Sequence, residues 1–256
     1  MMKRRQILGL GPVAALNAVG PTAREAVRPP QAPAKPRAVL FDLLTIFDPR
    51  SIAPLAEEVA RGRARELLET WRLRQFEYTW LRTAAGLYRN FEEVTDEALT
   101  YAARASHIEL SADARHKLLI GYERLAPWPD AQEALTALRT AGLRLAPLAN
   151  FTASTAERLL ARAGLRSLFD DVISTDRART FKPDPRAYAL GVTALGLRPS
   201  EIAFAAFGGW DAAGAKWFGY PTFWVNRLGL PAEELAPGPD ATGTSLGDLA
   251  SWVFSR

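Results

Sequence analysis

The chain has 256 residues, 48% of them apolar and 23% charged, the balance of a soluble globular protein built as one domain or as a core with an insert. Its net charge of +4 rests on Arg, since only five residues are Lys, and part of the excess lies in the N-terminal tail, so a nucleic-acid partner has little support. The absence of Cys excludes disulfides, thiolate metal sites and Cys nucleophiles, and leaves the redox compartment open.

The first stretch, "MMKRRQILGLGPVAALNAVG", sets Lys3-Arg4-Arg5 before a weakly apolar run, Ile7 to Val19, that is too short to span a membrane well. Arg4-Arg5 followed by Gln6-Ile7-Leu8 resembles a twin-arginine export signal, which predicts a periplasmic protein. Ala18-Val19-Gly20 has small residues at cleavage spacing, but Pro21 comes directly after. The alternative is a disordered Ala-rich extension on a cytoplasmic protein. Residues 21–36 read as an Ala/Pro linker, so residues 1–36 stand outside the fold and no membrane contact is expected beyond the signal segment.

Ala38–Phe41 reads as a strand buried on both faces, and it ends on a carboxylate, Asp42. Ile52 to Ala126 shows no strand signal and much helical periodicity, carried by "ELLETWRLRQFEYTWLRTAAGLYRNFEEVTDEALTYAARAS" (Glu66 to Ser106). His107 and His116, the only imidazoles, lie in this region without metal-ligand spacing and read as surface or cap residues. Beyond it, strand patterns at Arg144–Leu148, Asp171–Ser174, Ile202–Phe207 and Thr222–Val225 alternate with helical patterns at Pro129–Thr140, Thr152–Ala163, Pro185–Leu195 and Asp211–Phe218. Gly142, Gly164, Gly196 and Gly219 stand where left-handed helix stops belong. The pattern predicts an α/β fold: a Rossmann-like, doubly wound parallel sheet with a helical insert after the first strand. The core would comprise residues 37–50 and 127–256, and the insert residues 51–126.

Ligands of such sheets bind beyond the carboxyl ends of the strands. Asp42, Asn150, Lys182 and Asp211 all fall at or shortly after such ends, in four separate segments. Each alone has a plain structural role available: Asn150 could cap a helix and Lys182 could be a surface lysine. Together they predict one polar site on one edge of the sheet.

These four residues occur in the order of the four motifs of the haloacid dehalogenase superfamily, and the chain most resembles its L-2-haloacid dehalogenases of type II. The resemblance runs from residue 37 to about 252 and is carried by "WRLRQFEYTWLR" (Trp71 to Arg82), "FKPDPRAY" (Phe181 to Tyr188) and "WDAAGAKWFGYPTFWVNR" (Trp210 to Arg227). It implies a core with a helical cap, a small-molecule 2-haloacid substrate, no cofactor or metal, and a homodimer. It implies that Asp42 attacks C2 of the 2-haloacid and expels halide, and that water then cleaves the aspartyl ester to a 2-hydroxy acid of inverted configuration. Lys182 would hold Asp42 as a carboxylate. Asp211 would orient Lys182 and help activate the water. Arg72, 30 residues after Asp42, would bind the departing halide or the substrate carboxylate, or else be an ordinary helix-surface residue. Thr45 and Asn150 would donate hydrogen bonds to Asp42 or the substrate carboxylate. Tyr188 would join the Lys182 network and Trp210 would form an apolar wall, unless both are core packing.

The chain departs from that pattern in places. The first motif is one residue short, lacks its Gly and has Leu44 where a Tyr would stand; Ala149, Ala206 and Gly208 replace polar residues of the second and fourth motifs. Two rival readings remain. A Mg²⁺-dependent phosphatase needs a second Asp two residues after the nucleophile, where this chain has Leu44. A degenerate member would bind a small carboxylate without turnover.

Overall fold

The computed structural model describes residues 35–256. The expected signal and most of the linker lie outside the described residues. Strand β1 (Ala38–Phe41) leads into a single helical turn, α1 (Leu43–Ile46), and a two-residue strand, β2 (Phe47–Asp48). Helices α2 (Ala53–Val59), α3 (Ala64–Ala85), α4 (Phe91–Ala105) and α5 (Ala112–Tyr122) come before β3 (Ala126–Pro127), which pairs antiparallel with β2. The chain then alternates: α6 (Ala131–Thr140), β4 (Arg144–Ala149), α7 (Ala153–Arg162), β5 (Ile173–Ser174), α8 (Pro185–Leu195), β6 (Ile202–Ala206), α9 (Gly209–Phe218), β7 (Thr222–Val225), β8 (Ala241–Gly243) and α10 (Leu246–Phe254). Six of these strands form a parallel sheet in the order β5-β4-β1-β6-β7-β8. No helix of the described residues is long and apolar enough to cross a membrane.

Alternation along β1 explains the two layers. Val39 and Phe41 enter one core and Ala38 and Leu40 the other, so every residue of the strand is buried. The first core continues into the helical segment through Leu67, Trp71, Val94 and Leu99. The second holds Tyr188, Phe204, Ala212 and Tyr220 beneath α8 and α9. Gly142, Gly164, Gly196 and Gly219 all have positive φ, as their positions after helices predict.

Helix α3 runs for 22 residues without Gly or Pro and stops at Gly86, which is left-handed. Its buried face, Ala64, Leu67, Trp71, Gln75 and Thr79, keeps the helical period but turns polar in its second half.

Some boundaries differ from those the sequence pattern predicts. The strand expected from Asp171 begins at Ile173, because the Asp171 carboxylate accepts the Val172 N–H at 2.7 Å and takes that donor from the ladder. Strand β8 and helix α10 have no counterpart in the pattern, nor does the β2–β3 ladder. His107 comes after α4 in a left-handed conformation, and both it and His116 are exposed.

Candidate active site

Strand β1 sits centrally between β4 and β6, so its carboxyl end opens at the middle of the sheet edge. The Asp42 N–H donates to Ala205 O at 2.8 Å and extends the ladder by one residue. The Asp42 carboxylate caps α1: Oδ1 accepts the Leu44 N–H at 2.8 Å. Thr45 Oγ1 donates to the Asp42 carbonyl at 2.7 Å, so Thr45 bonds the backbone of Asp42 and leaves its carboxylate to other donors.

The opening's far side is a buried ion triad. Lys182 Nζ donates to Asp42 Oδ2 at 2.6 Å and to Asp211 Oδ2 at 2.7 Å. The Lys182 and Asp211 side chains are 0% exposed, whereas that of Asp42 is 16% exposed. Lys182 is therefore no surface lysine. Burial pushes its ammonium down, but attraction to Asp211 and Asp42 outweighs this and holds it above the ordinary lysine value. Burial pushes Asp211 up to about 6, against the pull of Lys182. Tyr188 Oη donates to Asp211 Oδ1 at 2.7 Å, and burial keeps that phenol neutral by raising it well above its usual range. A Cβ at Gly214 would lie 2.6 Å from Tyr188 Oη, so the close approach requires glycine there.

Asn150, just past β4, accepts the Lys182 N–H at 3.1 Å and the Thr175 hydroxyl at 3.3 Å on its Oδ1. It thereby ties the Lys182 segment to the sheet edge while also lining a cavity beside Asp42. The cavity is small, about 20 Å³, close to the room one water needs. Asp42, Arg72, Gln75 and Asn150 are its polar walls, and Leu43, Leu44, Pro49, Phe76, Phe91, Tyr122 and Phe151 its apolar ones.

Arg72 comes from α3 and lines the cavity from the helical segment. Its guanidinium lies 5.3 Å from the Phe207 ring and 5.8 Å from the Phe76 ring. Among the described residues it makes no side-chain hydrogen bond or ion pair. Burial accordingly lowers its pKa, with only partial compensation from Tyr122, Asp42 and Asp48. A partly buried cation without a hydrogen-bonding protein partner is a ready anion site.

The structure thus brings Asp42, Lys182, Asp211, Tyr188 and Asn150 into one connected network, with Arg72 across the cavity. Trp210 is placed differently: it does not line the cavity but packs against Phe76 at 5.3 Å and Trp80 at 5.4 Å, bracing the wall from behind. Ala149 and Ala206 are buried, and a Cβ at Gly208 would meet the Trp210 indole nitrogen at 2.7 Å. The folded-back Trp210 ring therefore occupies the space a polar side chain at 208 would need. Sequence reasoning missed Gln75 and Tyr122, which bond each other at 3.1 Å. Gln75 is legible as a polar residue at the helical period of a buried face; Tyr122 carries no such signal.

Asp42 and Asp211 are the carboxylates at the centre, and the Lys182 ammonium occupies the position between them. No group of three His, Cys, Asp or Glu among the described residues could hold a metal ion. The donor set suits a cationic side chain.

Residues 19–219 match the family of haloacid dehalogenase-like hydrolases. The (S)-2-haloacid dehalogenase of Pseudomonas sp. (strain YL) is 41% identical over 211 residues, 82% of this chain and 91% of that protein. The crystal structure of an L-2-haloacid dehalogenase superposes with a TM-score of 0.85 at 39% identity, covering 86% of this chain and all of that one. The L-2-haloacid dehalogenase from Xanthobacter autotrophicus with chloropropionic acid covalently bound gives a TM-score of 0.81 at 36% identity over 86% of this chain and 99% of that one. With a parallel sheet that carries an Asp–Lys–Asp triad at its carboxyl edge, and with relatives aligned along nearly their whole length, the chain belongs to the haloacid dehalogenase-like hydrolases and, within them, to the (S)-2-haloacid dehalogenase family.

Proposed function

We propose that the protein is a cofactor-independent hydrolase that converts short (S)-2-haloacids to (R)-2-hydroxy acids through an ester on Asp42. The observation that carries this reading is the buried Lys182 ammonium held between Asp42 and Asp211, beside a small cavity that Arg72 lines with an unpartnered guanidinium. The covalently bound chloropropionic acid in the Xanthobacter relative supports the ester.

Asp42 attacks C2 in line, the carbon–halogen bond breaks, and halide leaves with the bonding pair toward Arg72. Forming the ester removes Asp42's negative charge, which departs on the halide. Water adds to the aspartyl carbon, the alkoxide leaves with one of the water's protons, the other proton passes to solvent, and Asp42 is regenerated as a carboxylate; one displacement at C2 gives inversion. Each Asp42 oxygen has its own donor, Leu44 N–H at 2.8 Å and Lys182 Nζ at 2.6 Å. Whichever oxygen is esterified, the other retains a donor for the charge that develops during hydrolysis. Both Asp211 oxygens are engaged, by Lys182 and Tyr188, which supports a role in orienting Lys182 over one in activating water.

Residues 51–126 act as a cap on this reading, since α3 delivers Arg72 to the cavity, and residues 37–50 and 127–256 form the core. The haloacid is the partner; a homodimer, which sedimentation velocity tests, accompanies it. Residues 1–36 direct twin-arginine export, tested by a reporter fusion with Arg4-Arg5 changed to Lys-Lys. The activity itself is tested by halide release from (S)-2-chloropropionate with EDTA present. The wild type releases halide and Asp42→Asn does not, whereas turnover of p-nitrophenyl phosphate that requires Mg²⁺ would select the phosphatase instead.

A further inference from the structure

The turn that carries Asp42 is too short to satisfy itself. Within α1 and its cap, the Asp42 carbonyl is bonded by Thr45 and the Leu43 carbonyl by Phe47 N–H. The next three carbonyls are bonded from outside the turn. Trp128 Nε1 donates to Leu44 O at 3.0 Å, Arg227 Nη2 donates to Thr45 O at 3.0 Å, and Trp128 N–H donates to Ile46 O at 2.9 Å. The two side-chain donors come from residues 84 and 182 positions away.

Arg227 is an unusual choice for such a task. Its side chain is 6% exposed, and it does not line the cavity. Its other terminal nitrogen pairs with Asp130 at 2.8 Å, and Asp130 in turn accepts the Leu246 N–H at 2.7 Å, at the start of α10. The guanidinium lies 4.7 Å from the Trp128 ring, against which Arg50 also stacks at 4.8 Å. One fork and one indole thus link the far half of the sheet to the turn. Because peptide units are planar, fixing the Leu44 and Thr45 carbonyls also fixes the Thr45 and Ile46 N–H groups and the pitch of the turn. The Leu44 N–H that holds Asp42 Oδ1 belongs to that same turn.

We infer that Arg227, together with Trp128, sets the conformation of the turn from Asp42 to Ile46, and that Arg227 is a positioning residue for the displacement step. The second half of this inference rests on the dehalogenase reading; the first half does not. A misplacement of the attacking carboxylate by as little as about an ångström lowers the rate without weakening ground-state binding of the acid to Arg72.

The test combines amide hydrogen exchange across Leu43–Phe47 with steady-state kinetics on (S)-2-chloropropionate, using Arg227→Met, Arg227→Lys and Trp128→Phe. In Arg227→Met, exchange in this segment rises by at least about tenfold while the central strands keep their protection. Its kcat falls by roughly 10- to 100-fold with KM within about twofold. Arg227→Lys, which can still reach a carbonyl, recovers part of both losses. Should Arg227→Met fail to fold, Trp128→Phe removes the donor to Leu44 O, keeps an aromatic ring beside Arg227 and Arg50, and reads the same two quantities. Wild-type exchange across Leu43–Phe47 in the folded variant, or loss of protection spread evenly through the sheet, overturns the inference. If the wild type releases no halide from any 2-haloacid, the dehalogenase reading and the kinetic half fall, while the exchange result still decides whether Arg227 holds the turn.

Discussion

Lys182 Nζ reaches Asp42 Oδ2 across 2.6 Å although the two residues stand 140 positions apart in the chain. The contact joins a residue at the end of the central strand to one in the loop before α8, and the same ammonium holds Asp211. Two carboxylates and one ammonium leave the centre one negative charge in excess, most of it out of water except at Asp42.

Replacing Lys182 by Met strands two neighbouring carboxylates in the interior. Removal of one partner from a buried ion pair commonly costs about 3–5 kcal/mol. The variant is expected to lose halide release by more than about 100-fold and to melt well below the wild type. Normal activity with an unchanged melting temperature would show that the ammonium neither holds Asp42 nor supports the fold.

Arg72 predicts the opposite balance. Its guanidinium is partly buried and has no hydrogen-bond or ion-pair partner among the described residues, so Arg72→Met should cost nothing in thermal stability or raise it. Its kcat/KM for 2-chloropropionate should fall by about 100-fold. Equal losses of stability and activity would mean that Arg72 is structural.

The raised pKa of Asp211 fixes the sign of a pH effect. Folding lifts this group from its ordinary 3.8 to about 6, through burial. The folded state therefore keeps a proton that the unfolded chain has released. The stabilisation this gives is fully present below about pH 4 and is lost as pH rises through about 6. Asp211→Asn removes that titration, so denaturation measured from pH 4 to about pH 7 should show the wild type losing stability relative to the variant. A flat difference across that window would show that Asp211 is not perturbed.

On the dehalogenase reading, the apolar walls should set substrate length. The cavity has room for about one water, so any acid must displace its walls Leu44, Phe76, Phe91, Tyr122 and Phe151, and the shortest acids displace them least. Each additional methylene in a pocket of this kind changes selectivity by about 10- to 200-fold. Chloroacetate and 2-chloropropionate should outrun 2-chlorobutyrate, and Phe91→Ala should narrow the gap. Equal kcat/KM values along the series would contradict a wall-limited site.

Most of the sheet is legible in the sequence because its strands are buried on both faces, and runs such as "AVLF" and "IAFAA" have no polar interruptions. Strand β8, "ATG", and the two-residue β2 and β3 carry no such run; β8 adds to the edge at β7, and β2 and β3 pair with each other apart from the main sheet. The order Asp42, Asn150, Lys182, Asp211 places the site at the sheet edge. It does not reveal that Asn150 spends its oxygen on the Lys182 backbone, nor that Thr45 bonds the carbonyl of Asp42. Those outcomes depend on the direction of a side chain in a loop or a single helical turn, which neither period nor propensity encodes. The resemblance implies that Trp210 is an apolar wall, with core packing as the alternative; its ring turns toward Phe76 and Trp80 because the α3 aromatics offer it a dry partner.

The most direct measurement of the central claim is the mass of the peptide carrying Asp42 after the protein is mixed in excess with (S)-2-chloropropionate and quenched in acid. That peptide should gain the mass of the substrate less hydrogen chloride, and in ¹⁸O-water a single turnover should leave the label in Asp42 and none in the lactate. Label in the lactate, with an unmodified Asp42, would mean that water attacks C2 directly and that the carboxylate at residue 42 is not the nucleophile.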